Sequence, residues 1–194
     1  MFSLSQDFYR FHTTKDETVA ETVRPSYMYI LKHCGIQCFN IFITFFVTLL
    51  LFPTVLSGIK ATNPNFLFGP ILFLPVCCFL NFNFFAMIGN ILPNYVRSPS
   101  PQHLWIPVCL RALFIPFFLL SNYKPHIYPL LFTNEWLYIL GVMLFGLTHG
   151  HLCSLGMMYA PKTVAKEHAP IAGMLSAFCL ICGITTGVTT SILL

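Results

Sequence analysis

Apolar positions in this chain come in blocks instead of at single residues. Residues 36–57, 67–92, 104–121, 136–158 and 170–194 are each apolar almost throughout. All five reach the ~18–20 residues that cross a hydrocarbon layer of ~30 Å. Polar turn residues separate them: Asn63-Pro64-Asn65, Ser98-Pro99-Ser100-Pro101, Asn122-Tyr123-Lys124-Pro125 and Ala160-Pro161-Lys162. At membrane depth no water serves the backbone N–H and C=O groups, so the five blocks are predicted as helices; five short strands would leave an open edge. Pro53, Pro70, Pro75, Pro107 and Pro116 interrupt them. In lipid such prolines read as kinks whose freed carbonyls are satisfied by neighbours. The predicted fold class is an all-α polytopic membrane protein, with a polar arm at 1–30 and a five-helix transmembrane bundle at 31–194.

Composition supports the same solvent. Hydrophobic residues make up 56 % of the chain and charged residues 8 %, against roughly one-quarter charged in a soluble domain. Mean hydropathy is +0.74. The ten Lys and Arg then set the orientation. With the amino terminus cytoplasmic, inside segments hold Arg10, Lys15, Arg24, Lys32, Arg97, Lys162 and Lys166, outside loops hold Lys60 and Lys124, and Arg111 lies within a span. That bias favours a cytoplasmic amino terminus and, after five spans, an extracellular carboxyl terminus. Topology accounts for the net charge of +4, so no nucleic-acid partner is implied. The arm lacks the apolar centre of a signal peptide.

Polar residues inside spans are costly and tend to face a bundle interior or a water-filled path. Asn83, Ala86 and Asn90 share a face of the second span at i, i+3 and i+7. Arg111 lies about two turns into the third, where it either snorkels to the cytoplasmic interface or takes a buried role. His149 and His151 lie in the fourth, with Thr148 and Ser154 nearby. Being two apart on a helix, the histidines point to nearly opposite faces and make no chelate. In the last span Gly173, Ala177, Gly183, Gly187 and Ser191 form a small-residue pattern suited to close helix packing.

The eight cysteines include Cys34 and Cys38, the adjacent Cys77 and Cys78, and a C-x-x-C at Cys179 and Cys182. None has the loop context or the His and carboxylate complement of a zinc site, so they read as small core residues. No phosphate loop, nucleophile elbow or intramembrane carboxylate pair is present. The chain carries no catalytic residues, no metal ligands and no cofactor site that the sequence identifies.

One set of motifs adds a resemblance. Phe52-Pro53 ends the first span. Cys78-Phe79-Leu80-Asn81-Phe82-Asn83 leads to Gly89 in the second. Arg111-Ala112-Leu113-Phe114-Ile115-Pro116 and Ser121 to Pro125 mark the third. Gly150-His151-Leu152, Ser154-Leu155 and Met157 to Lys162 mark the fourth, and Ala172-Gly173 opens the fifth. Together these resemble the carboxyl-terminal half of an equilibrative nucleoside transporter, over about residues 29–194.

The resemblance implies a major-facilitator-like fold of six plus five helices, of which this chain would be the five-helix half and the tail of the loop joining the halves. It implies facilitated diffusion of nucleosides and nucleobases by alternating access, not an enzyme. The implied partners are the nucleoside or nucleobase, the lipid bilayer, and a six-helix amino-terminal half or a full-length transporter; the implied location is the plasma membrane. The family's second span carries an Asp and an Arg that help bind the sugar, where this chain has Ala86 and Asn90. Ala accepts no hydrogen bond from a ribose hydroxyl, and Asn lacks the guanidinium fork. His149 and His151 replace the usual Asn and Tyr. The expected substrate-facing set is therefore Asn83, Ala86, Asn90, Arg111 and His149. The alternative is a transport-inactive member that acts by interaction.

Overall fold

The computed structural model describes residues 27–59, 69–121 and 134–193. Most of the arm expected at 1–30, the breaks at 63–65 and 122–125, and the basic residues Arg10, Lys15, Arg24, Lys60 and Lys124 lie outside the described residues. What is described is helical: α1 Tyr27–Leu51, α2 Thr54–Gly58, α3 Gly69–Leu72, a π-helical stretch Phe73–Leu80, α4 Asn81–Ile91, α5 Trp105–Leu110, a 3₁₀ turn Arg111–Leu113, α6 Phe114–Leu119, α7 Glu135–Tyr159 and α8 Ala169–Ser191. Four continuous stretches are long and apolar enough to cross a membrane, Tyr27–Gly58, Phe73–Asn94, Glu135–Thr163 and Lys166–Ser191, and a shorter one covers Trp105–Leu119. The chain is a helical membrane bundle.

Two stretches differ from the sequence expectation. The first helix is already formed at Tyr27, the first described residue and ahead of the apolar block at 36, and there Ile30, Cys34 and Cys38 bury one face against Ala160 and Ala172. The third block, expected as one span over 104–121, is one helix but a shorter one, Trp105–Leu119, and it is not α-helical throughout. Pro116 has no N–H to give to the carbonyl four residues back, and the chain tightens to 3₁₀ at Arg111–Leu113 between α5 and α6. At 1.5 Å per residue the stretch Trp105–Leu119 extends about 22 Å, short of the ~30 Å core.

Proline acts differently in the second span. Pro75 sits in the π-helical stretch, whose wider turns relieve the ring, and Asn81 serves the loosened backbone by donating from Nδ2 to Cys77 O at 3.2 Å and to Ile139 O of α7 at 2.8 Å.

The helices pair as α1 with α8 and α4 with α7, and α1 also crosses α7. Lipid tails are as apolar as the side chains, so close backbone approach does what water exclusion does in soluble folds. On α7 a Cβ at Gly146 would lie 2.6 Å from Phe82 O of α4, and one at Gly150 would meet Ala86 O. On α8 only Gly183, Gly187 and Ser191 of the small-residue pattern are buried, the glycines against Phe42 O and Phe46 O of α1; Gly173 has open space beside it and Ala177 is exposed. The central core joins Val47, Leu51, Val55, Phe82, Phe118, Tyr138, Val142 and Phe145 from α1, α2, α4, α6 and α7. Phe84, Met87, Ile91, Met174, Phe178 and Ile181 face outward.

Candidate functional site: a buried polar hub and an exposed polar edge

A line of polar side chains runs down the buried face of α1. Gln37, Asn40, Thr44 and Thr48, at i, i+3, i+7 and i+11, are all at most 2 % exposed. Thr44 Oγ1 donates to Asn40 O at 2.7 Å and Thr48 Oγ1 to Thr44 O at 2.6 Å, which satisfies each hydroxyl on its own helix. Both keep lone pairs free to accept.

Arg111 ends this line. Its 3₁₀ turn directs the side chain inward, and the residue is 1 % exposed. Nη1 donates to Phe145 O at 3.0 Å and to Thr148 Oγ1; Nη2 donates to Thr48 Oγ1 at 2.9 Å. The guanidinium carbon lies 4.6 Å from the centre of the Phe145 ring, a cation–π contact. The two sequence readings of Arg111 are thereby separated: the guanidinium is held inside and does not snorkel. Its partners are hydroxyls, a carbonyl and a π face instead of a carboxylate, and Nε has no partner among the described residues.

His149 joins the same hub, with Nδ1 2.9 Å from Thr48 Oγ1. Thr48 has one proton and two lone pairs. With the proton given to Thr44 O, the hydroxyl accepts from Arg111 and from His149, so the network assigns the proton of a neutral His149 to Nδ1. Phe45 meets the ring edge-on at a centroid distance of 5.0 Å and Phe82 lies at 5.9 Å.

The α4 residues form a separate group. Asn83 and Asn90 are exposed. Asn83 Nδ2 donates to Phe79 O of its own helix at 2.8 Å. Asn90 Oδ1 accepts from Ser154 Oγ of α7 at 3.0 Å. Ala86 is half-buried between them, its backbone against Gly146 and Gly150. An apolar groove of about 450 Å³ between this span and α7 is lined by Val76, Cys77, Leu80, Asn81, Phe84, Trp136 and Ile139. The five residues expected as one set thus divide into an inner pair, Arg111 and His149, and an outer edge, Asn83, Ala86 and Asn90.

A third polar group clasps the 97–101 loop. His151 Nε2 donates to Ser98 O at 2.7 Å, Tyr159 Oη lies 3.1 Å from both Arg97 O and Pro99 O, and Gln37 Nε2 donates to Pro101 O at 2.8 Å. His149 and His151 do point to different elements, α1 and this loop. Sequence reasoning passed over Gln37, Asn40, Thr44 and Thr48; their 3–4–4 spacing within an apolar block was the available signal. Cys34, Cys38, Cys77 and Cys78 are buried, whereas Cys109 is exposed and is no core residue. No group of three His, Cys, Asp or Glu that could hold a metal occurs among the described residues.

Comparison with known proteins accords with this architecture. The family model described as "Nucleoside transporter" matches residues 5–194. The chain is 36 % identical over 172 residues to equilibrative nucleoside transporter 1 of Rattus norvegicus, covering 85 % of this chain and 37 % of the relative. It is 32 % identical over 174 residues to equilibrative nucleoside transporter 2 of Mus musculus, covering 88 % and 38 %, and 33 % identical over 167 residues to equilibrative nucleoside transporter 1 of Homo sapiens, covering 84 % and 37 %. It thus spans little more than a third of the length of these relatives. With a helical membrane bundle matched over almost its whole length by the family model, the chain belongs to the nucleoside transporter family.

Proposed function

We propose that this chain supplies one wall of a nucleoside pathway and works with a six-helix half to move nucleosides or nucleobases by alternating access. The observation that carries the reading is the α4 edge: Asn83 and Asn90 are exposed on a helix whose other outward residues, Phe84, Met87 and Ile91, are apolar. Exposed amides at membrane depth call for a polar counterpart, and an amide both donates and accepts, as nucleobase edges and ribose hydroxyls require. In this reading Asn83 and Asn90 face substrate, Ser154 holds the Asn90 amide in orientation, and Arg111 and His149 brace the wall from inside. No bond is made or broken. The bundle begins near residue 31 behind a cytoplasmic polar arm, the carboxyl terminus is extracellular, and the plasma membrane is the site of action.

The test is uridine uptake into vesicles. The chain alone should insert without saturable flux, because alternating access needs two bundles closing on one site; co-expression with an amino-terminal half from a working relative should supply flux. Robust saturable uptake by the chain alone overturns the half-wall reading. Orientation is tested separately in intact cells lacking native cysteines: a cysteine at Thr62 should react with an impermeant thiol reagent and one at Ser98 should not.

A second reading rests on Ala86. Its place against the α7 backbone carries no polar group toward a sugar, and Asn90 is engaged by Ser154. A transport-inactive member that pairs with a complete transporter through the same α4 edge fits those residues; co-purification with the transporter, without flux from the assembled pair, distinguishes it.

A further inference from the structure

The loop between α4 and α5 contains Arg97-Ser98-Pro99-Ser100-Pro101-Gln102-His103, and neither the bundle packing nor the pathway reading explains its doubled Ser-Pro. We propose that Ser100 is a phosphorylation site for a proline-directed protein kinase, a reading that rests on the cytoplasmic placement of this loop proposed above.

Three observations converge on Ser100. First, it is exposed, and so are Arg97, Ser98, Pro101, Gln102 and His103 around it, so an enzyme reaches its hydroxyl at the head of a turn that the His103 N–H closes onto Ser100 O at 3.0 Å. Second, a serine followed directly by proline is the acceptor arrangement that this kinase class reads. Third, the surroundings suit a dianion. Ser100 Oγ lies 3.0 Å from His103 Nδ1, Arg97 is in the same loop, and the Tyr159 contacts bring this loop to the end of α7, where Lys162 is exposed one turn further on. A phosphate there finds a ring nitrogen at contact distance in His103, with the basic Arg97 and Lys162 on the same loop and on the helix end it docks to.

In the reaction Ser100 Oγ attacks the γ-phosphorus of ATP. The Oγ–P bond forms as the bond to the β-phosphate oxygen breaks, the hydroxyl proton passes to the kinase's base, and ADP leaves. The added charge sits on a loop fastened to α1 by Gln37 and to α7 by His151 and Tyr159. It therefore acts on the two helices that carry Thr48 and His149.

The full chain in lipid nanodiscs, which expose both faces, is incubated with a proline-directed kinase and ATP, and the modified residue is mapped by mass spectrometry. Phosphate is expected on Ser100, falling to background in Pro101→Ala and persisting in Ser98→Ala. Absence of phosphate from Ser100, or its persistence in Pro101→Ala, overturns the proposal. The same mapping on protein from intact cells separates the two readings. Phosphate on Ser100 in both settings supports modification and orientation together. Phosphate in nanodiscs alone, with Ser98→Cys labelled from outside, overturns the orientation and with it modification in cells.

Discussion

The hub around Arg111 and the edge along α4 use similar side chains in the same apolar bundle, and their surroundings give them different work. In the hub every polar atom of Thr48 is engaged, and the guanidinium is wrapped by Thr48, Thr148, Phe145 O and the Phe145 ring at 1 % exposure. Along α4, among the described residues, Asn83 bonds its own helix and Asn90 bonds Ser154, and both remain exposed. A buried, shared set of hydrogen bonds in low dielectric is sensitive to deletion, because what remains is stranded. An open set loses little on its own and matters when a ligand or partner arrives. Polar residues in lipid therefore cannot be treated as one class: burial within the half separates bracing from contact.

The sharpest way to break this comparison is Thr48→Val, which keeps the shape and removes the shared hydroxyl. A hydrogen bond to a charged group contributes ~1.5–3 kcal/mol, and the His149 bond adds ~1 kcal/mol. Together these predict a loss of about 3 kcal/mol, read as a lower denaturant midpoint for the purified chain in lipid micelles. A loss below about 1 kcal/mol would mean that the hub is not a brace.

Next in size is the double change Ala86→Asp with Asn90→Arg. The two positions are four apart on α4, so carboxylate and guanidinium can pair on one helix face and then serve a sugar. In the assembled pair uridine uptake at low substrate should rise about tenfold, equivalent to ~1.4 kcal/mol of binding. Asn90→Arg alone should help less, since it adds an unpaired charge. Equal gains from both variants would show that positive charge suffices and that the edge does not act as a pair.

The smallest expected effect is the most discriminating. Asn83→Ala and Asn90→Ala should each change stability by no more than about 0.5 kcal/mol, as exposed positions do, while lowering uptake in the assembled pair. If either destabilises the bundle as strongly as Thr48→Val, edge and hub are one structural network.

The amino-acid order by itself determined the solvent, the helical class and the family. Those signals are additive along the chain: blocks of apolar residues long enough for a bilayer, and motifs whose spacing can be counted. It also pointed to Arg111 and His149, since a charged or titratable residue in an apolar block stands out. It did not divide Asn83, Ala86 and Asn90 from Arg111 and His149, and it passed over Thr48, because a threonine in an apolar helix can satisfy its hydroxyl on its own backbone and reads as unremarked core. Only the tertiary structure decided that α1 crosses α7 where the 3₁₀ turn places Arg111 inward, bringing Thr48, Arg111 and His149 together from three separate spans. That meeting depends on crossing geometry and on Pro116, which shortens the third helix, and neither has a one-dimensional period to read. The same holds for the clasp on the 97–101 loop, whose acceptors are backbone carbonyls that every residue possesses and that only packing singles out.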